Sequence, residues 1–400
     1  MKTTSSHTSN ARTPDGKRSG PLPPFDFVPL NRVVHGAGCV ARLGELVREL
    51  GGQRVLLVTD PGLELAGHPQ RAQAIMREAG LDVFVFDEVK ENPTNKQVEA
   101  GTHIARERAI DFLVAVGGGS SMDCAKGINF LLTNGGTMAD YKGYGMATKP
   151  MLPSIGVPTT AGTGSEAQCY ALITDASSHL KLACGDKKAA FRIAILDPEL
   201  TISQPRQIAA VTGIDALAHA VESYVSSRRT PVSQIYSLSA FRHLEPNFSV
   251  VLNEPANIAA RAAMQIGAHF AGVAIENAML GIGHSCANPL TAHYGITHGQ
   301  AVGLMLPHVI RFNAPTAEHL YADLTSTNSL GNGEPASEIL ARRVSELVAF
   351  AGQPLRLRDC GVSDSILHLL AEEAGQQWTA NFNPRPVTEA DLLSVYEAAW

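Results

Sequence analysis

Between Arg54 and Pro198 short apolar runs alternate with helix-patterned stretches, and beyond Pro198 the short runs stop. Such alternation specifies a parallel α/β sheet, because parallel strands need long crossovers that are usually helical. The runs are Arg54–Asp60, Asp82–Asp87, Phe112–Val116, Ser154–Val157, Ala171–Thr174 and Arg192–Leu196. After Pro198 the pattern turns Ala-rich with helical spacing, and Ile339, Leu340, Val344, Leu347 and Val348 fall on one face. The expectation is an α/β half followed by an all-α half, divided between Thr201 and Gln207, where Pro205 interrupts the pattern.

A chain of 400 residues is too long for one ordinary core. We therefore expect a tail over 1–24, an α/β domain over 25–203 and an all-α domain over 204–400. The first 24 residues are rich in Ser, Thr, Arg and Pro without an apolar stretch, so they read as a disordered tail and not as a secretory signal. Thr325 to Pro335 reads as a loop, and Thr388-Glu389-Ala390-Asp391 reads as a helix start.

Net charge is -6, and no basic tract exceeds the pairs Lys187-Lys188 and Arg228-Arg229, which argues against nucleic acid or an anionic membrane as partner. No run approaches the roughly 20 uninterrupted apolar residues of a membrane span. The expected partner is a small molecule. The six cysteines are scattered without CxxC spacing, which points to a reducing, cytoplasmic setting. A homo-oligomer is the base expectation for such a chain.

Val114-Ala115-Val116 runs into Gly117-Gly118-Gly119-Ser120-Ser121-Met122-Asp123-Cys124-Ala125-Lys126, a strand ending in glycines that open a helix. Such a turn aims free N–H groups and the helix dipole at an anion, and the glycines let a pyrophosphate approach. A triple glycine also serves as a plain tight turn. Asp60, at the end of an earlier strand, is placed to accept from an adenosine ribose and to repel a 2'-phosphate, favouring NAD over NADP; the same residue type is a frequent helix cap. Pro158-Thr159-Thr160-Ala161-Gly162-Thr163-Gly164-Ser165-Glu166 offers hydroxyls and small residues after a third strand.

Asp215 and His219 stand four apart in an Ala-rich helical stretch and so share a face. With His284 and His298, which a loop through Gly295-Ile296-Thr297 returns toward them, they form a candidate set of three imidazoles and one carboxylate. That set suits iron or zinc and fits magnesium or calcium poorly, because those hard cations prefer oxygen. An Asp/His pair on a helix is also a common surface pair.

Taken in order, these motifs resemble the iron-containing (group III) alcohol dehydrogenase family. The likeness runs from about Phe27 to Trp400 through His35-Gly36-Ala37-Gly38, the GGGSxxDxxK loop, PTTAGTGSE, Asp197-Pro198, the Asp215/His219 helix, the His284 and His298 segment and Asn383-Pro384-Arg385-Pro386. It implies a Rossmann-like dinucleotide-binding domain plus an all-helical metal domain, the architecture shared with dehydroquinate synthase, with a cleft between. It makes Asp215, His219, His284 and His298 the metal ligands. It puts Asp60, Gly117, Gly118, Gly119, Ser120, Asp123, Thr159, Thr160, Thr163, Leu172 and Lys181 on the dinucleotide. The implied activity is hydride transfer between NAD and a small alcohol or aldehyde beside iron, or zinc.

The chain departs from the pattern at Asn288, where many members have a histidine four residues after the third ligand. Asn cannot exchange a proton near neutral pH. The expectation is that Asn288 hydrogen-bonds a substrate oxygen while water, a cofactor ribose hydroxyl or His293 moves the proton. The rival reading is a dehydroquinate synthase-like metal/NAD lyase, which would regenerate NAD in each turnover.

Overall fold

The computed structural model describes residues 24–178, 180–325 and 333–400, so residues 1–23 of the expected tail and residues 326–332 of the expected loop lie outside the described residues. The strands are β1 (Arg32–His35), β2 (Arg54–Val58), β3 (Asp82–Phe86), β4 (Phe112–Gly117), β5 (Gly143–Tyr144), β6 (Ser154–Pro158), β7 (Tyr170–Thr174), β8 (Lys181–Gly185) and β9 (Ile193–Leu196). In the first half the helices are α1 (Leu43–Glu49), α2 (Pro61–Ala66), α3 (His68–Glu78), α4 (Asn95–Glu107) and α5 (Gly119–Asn134). In the second half they are α6 (Arg206–Val225), α7 (Pro231–Asn253), α8 (Ile258–Ala278), α9 (Ile282–Tyr294), α10 (His298–Thr325), α11 (Ala336–Phe350), α12 (Leu367–Gly375) and α13 (Glu389–Ala399).

Six strands form one parallel sheet in the order β1-β9-β6-β4-β2-β3. Residues of β4 and β6 are buried throughout, as expected of strands covered on both faces. From β2 the chain goes outward to β3 and then returns to the other side of β2 as β4, so the order reverses between β2 and β4. In open α/β sheets ligands bind at such a reversal, beyond the carboxyl ends of the strands.

One expected strand lies elsewhere. The run Ala171–Thr174 belongs to β7, which pairs antiparallel with β8 in a separate three-stranded sheet, β5-β8-β7. Only residues 175–180 separate β7 from β8, too few for the dozen or so that a parallel crossover needs. In that hairpin Ala171, Ile173, Leu182 and Cys184 face the core, while Leu172 and Lys181 share the opposite, exposed face.

Among the described residues no strand follows Leu196, as the periodicity predicts. Leu340, Val344, Leu347 and Val348 are buried along α11. Thr388 caps α13 as predicted: its Oγ1 accepts from the Asp391 N–H at 3.2 Å, and the Asp391 carboxylate accepts from the Thr388 N–H at 2.8 Å. Thr325, the first residue of the expected loop, is instead the last residue of α10. α8 has the length and apolarity to cross a membrane, but it is packed against α6 and α7 and carries Arg261, Gln265, His269 and Glu276.

Candidate metal and dinucleotide site

Asp60 and the triple glycine meet at the sheet's reversal point. Asp60 caps α2, its Oδ1 accepting from Gly62 at 3.0 Å and Leu63 at 3.2 Å, and its Oδ2 accepts from the Ser121 hydroxyl of α5 at 3.3 Å. The β2 end is thereby tied to the start of α5, whose first N–H groups have no acceptor within the helix. Gly117 admits no side chain, because a Cβ there would meet the Ser121 Oγ at 2.3 Å.

The 159–165 loop is wedged between three elements, and its small residues explain how. Thr159 donates its N–H to the Gly117 carbonyl at 3.0 Å. A Cβ on Gly119 would stand 2.8 Å from the Thr163 Oγ1, one on Gly162 would stand 2.5 Å from the Thr212 Cβ of α6, and one on Gly164 would stand 2.7 Å from the Gly272 Cα of α8. Thr160 lies against Gly118. The loop thus joins the glycine turn directly to the helix that carries Asp215.

Two motif residues act on this loop from beneath. Lys126 is 1 % exposed, and its Nζ donates to the Ser165 carbonyl at 2.7 Å, the Ser165 Oγ at 2.9 Å and the Tyr170 carbonyl at 2.7 Å. The Asp123 carboxylate accepts from the Ser165 hydroxyl at 2.6 Å and from the Leu172 N–H at 3.2 Å. Lys181, on the exposed face of β8, reaches Asn92 at 3.3 Å.

On the helical side α6 is buried almost all round from Ala209 to Val225, between α7, α8 and α10. Asp215 is the meeting point. Its Oδ1 lies 3.4 Å from the His219 Nε2, 3.3 Å from the His284 Nε2 and 3.7 Å from the His298 Nε2. Donors about 2.1 Å from one ion at tetrahedral angles stand about 3.4 Å apart, so these separations suit a shared cation. Asp215, His284 and His298 each offer an atom within 4.8 Å of the others. The His219 ring stacks on that of His284 at 4.8 Å. The Asp215 Oδ1 and the His284 Nε2 are buried without a hydrogen bond, an arrangement that is costly unless something else satisfies them.

Glu222, which the sequence reading passed over, completes the setting. Its carboxylate accepts from the His284 Nδ1 and, at 2.7 Å, from the Gly283 N–H. The bond to Nδ1 leaves the His284 Nε2 lone pair toward Asp215, the usual outer-shell support of a metal-binding imidazole. Burial pulls the His284 pKa down, but Glu222 and Asp215 together outweigh it and hold it above the ordinary value. Burial pushes His219 down to about 4, leaving that ring neutral at neutral pH. His298 keeps 34 % side-chain exposure at the cleft. Glycines let the later histidines arrive: a Cβ on Gly283 would crowd the Glu222 carboxylate at 2.8 Å, and one on Gly299 would stand 2.0 Å from the Val211 carbonyl of α6. A signal for Glu222 was present, since it follows Asp215 by seven residues and His219 by three on one helical face.

Asn288 is one turn beyond His284 on α9, and its Nδ2 donates to the Gln377 Oε1 at 3.1 Å. His293 is nine residues beyond His284, which on an α-helix is about two and a half turns and the opposite face. It is exposed and pairs with Glu373 at 2.8 Å.

A family model described as iron-containing alcohol dehydrogenase matches residues 30–198, and one described as the C-terminal part of the Fe-containing alcohol dehydrogenase family matches 209–400. The NAD-dependent methanol dehydrogenase of Bacillus methanolicus is 33% identical over 381 residues, covering 93% of this chain and 99% of that protein. The crystal structure of a 1,3-propanediol oxidoreductase superposes with a TM-score of 0.92 at 34% identity, covering 94% of this chain and 100% of that one. A sulfoacetaldehyde reductase from Bifidobacterium kashiwanohense, solved in complex with NAD+, superposes with a TM-score of 0.84 at 28% identity over 94% of this chain and 98% of that one.

Proposed function

Because the chain belongs to the iron-containing alcohol dehydrogenase family, we propose how its own residues divide the work of that activity. The enzyme is a metal-dependent oxidoreductase using iron and NAD on a small alcohol or aldehyde. The domain boundary is placed between 203 and 204, in the short segment joining β9 to α6.

Asp215, His219, His284 and His298 hold the metal, and the convergence of three imidazole nitrogens on one Asp215 oxygen carries this assignment. Iron there supplies a positive charge that polarises an alcohol or carbonyl oxygen, and NAD exchanges the hydride. The start of α5, with Gly117, Gly118, Gly119 and Ser120, receives the pyrophosphate. Thr159, Thr160 and Thr163 border the nicotinamide side, and Leu172 and Lys181 present the exposed hairpin face to the dinucleotide. Asp123 acts on the cofactor side as a positioning residue, through its hold on Ser165 and the Leu172 N–H. Asp60, at the reversal point, favours NAD over NADP.

Asn288 positions the substrate. Its amide N–H is engaged by Gln377, which fixes the side chain and leaves its carbonyl oxygen to accept from a substrate hydroxyl. The proton leaves through water or a ribose hydroxyl, since His293 is on the opposite face of α9 in a pair with Glu373. Asn288→Ala is expected to raise the KM for alcohol about fivefold, from roughly 1 kcal/mol for one neutral hydrogen bond, with the KM for NAD unchanged. Unaltered alcohol kinetics would remove Asn288 from the site.

The six free cysteines accord with a cytoplasmic setting. Among the described residues β1 is an edge strand without an outer neighbour, and with exposed Phe25, Val28 and Val33 this accords with a homo-oligomer. The deciding experiment is metal analysis of anaerobically purified protein joined to a panel of short alcohols. Near-stoichiometric iron and net NADH accumulation are expected. An active metal-free protein, or turnover without net NADH, overturns the reading.

A further inference from the structure

A cavity of about 350 Å³ opens between α10, α11 and the C-terminal end of α13, and none of the four metal-site residues lines it. Its His308 follows His298 by ten residues on α10, about 15 Å along the helix axis. The volume is within the range of small-molecule pockets, which begins at about 300 Å³.

The lining is cationic. Arg311, Arg356 and Arg358 supply charge and His308 a neutral ring, and no Asp or Glu side chain lines it, in a chain whose net charge is -6. Arg311 is neutralised by Glu338 at 3.0 Å. Arg356 and Arg358 have no carboxylate partner among the described residues. The Arg358 guanidinium lies over the Trp400 ring, 5.4 Å from its centroid. That ring is fixed, because its Nε1–H donates to the Val362 carbonyl at 3.0 Å. Burial, and then Arg311, push His308 down to about 4, so its ring is neutral and offers one N–H donor. Leu304, Pro307 and Leu355 supply apolar surface beside the indole.

Unpaired guanidiniums facing one concavity match the planar oxygens of a carboxylate or phosphate. We propose that this cavity binds a small organic oxyanion, its charged group on Arg356 and Arg358 and its apolar body on Trp400, Leu304 and Pro307. The site is separate from the metal cleft, and its occupancy is independent of the redox reading.

Trp378 and Trp400 are the two tryptophans of the chain, so Trp378→Phe leaves a single tryptophan, in the cavity wall, which excitation beyond the tyrosine band reads selectively. Benzoate and inorganic phosphate are titrated against this full-length protein by fluorescence, with calorimetry on the unmodified protein in parallel. A saturable response is expected, with a dissociation constant that weakens about tenfold or more in calorimetry of Arg356→Ala/Arg358→Ala, as charge-assisted contacts are lost. Alcohol turnover of that double variant is expected to stay within about twofold, a surface change of this kind having little other effect. A response to benzoate alone assigns the site to carboxylates with an apolar body, and a response to phosphate alone assigns it to phosphate groups. No saturable response to either probe up to about 10 mM, or equal binding by the double variant, overturns the proposal.

Discussion

Replacing Asp215 by Ala is expected to give a folded, iron-poor protein whose kcat/KM for alcohol falls by about a thousandfold or more. The size follows from the several kcal/mol of charge stabilisation that a bound metal supplies, at about 1.4 kcal/mol per factor of ten. Asp215 is the one donor that faces all three imidazoles, at 3.3 to 3.7 Å, so its loss would remove the anion around which the proposed cation would be held. The metal-free chain should lose stability as well. Against the upward push of burial, the three imidazoles around Asp215 hold its carboxyl below the usual carboxylate range, and Asp215 in turn helps hold the buried His284 above its ordinary value. Its loss therefore removes a favourable buried contact at neutral pH. The checks are iron content, kinetics and urea unfolding after chelation. Retained iron with activity within tenfold of wild type would show that Asp215 is not a ligand.

Lys126→Met is expected to cost about 3–5 kcal/mol of stability, the usual penalty for removing one partner of a buried charged pair. The Lys126 side chain is 0 % exposed and lies 3.7 Å from Asp123. Without it, the Asp123 carboxylate stays buried uncompensated, and the carbonyls of Ser165 and Tyr170 lose their donor. The midpoint of the first urea transition reads the effect, and the KM for NAD should rise with it, since Ser165 ends the loop packed on the glycine turn. Adding Asp123→Asn is expected to recover part of the loss by removing the stranded charge. A double variant no better than Lys126→Met would mean that the three donated hydrogen bonds, and not the charge pair, account for the cost.

Lys126 also shows where sequence reasoning stopped. The GGGSxxDxxK motif was legible as a glycine turn between a strand and a helix, as β4 and α5 show, because that succession is a local pattern. The partners of its Asp and Lys were not, because Ser165 is 42 and 39 residues away, respectively. The same limit misplaced Ala171–Thr174. Apolar content identified a strand, but its sheet depended on a partner, Lys181–Gly185, too short and mixed to be read as one. β1 escaped for a similar reason: Arg32–His35 is a four-residue edge strand with one buried side chain.

The sequence by itself determined the α/β-then-α division and the helical register that puts Asp215 and His219 on one face, and family resemblance singled out the four residues proposed as metal ligands. Periodicity and short spacing are properties of neighbouring residues, so a linear chain displays them. Only the tertiary structure decided that Glu222 supports His284, that glycines at 162, 164 and 299 let helices and loops approach within contact, and that Arg356 and Arg358 meet Trp400 around a cavity. Those arrangements arise when elements distant in the chain are pressed together to bury apolar surface, and close packing then fixes distances that no spacing in the chain encodes.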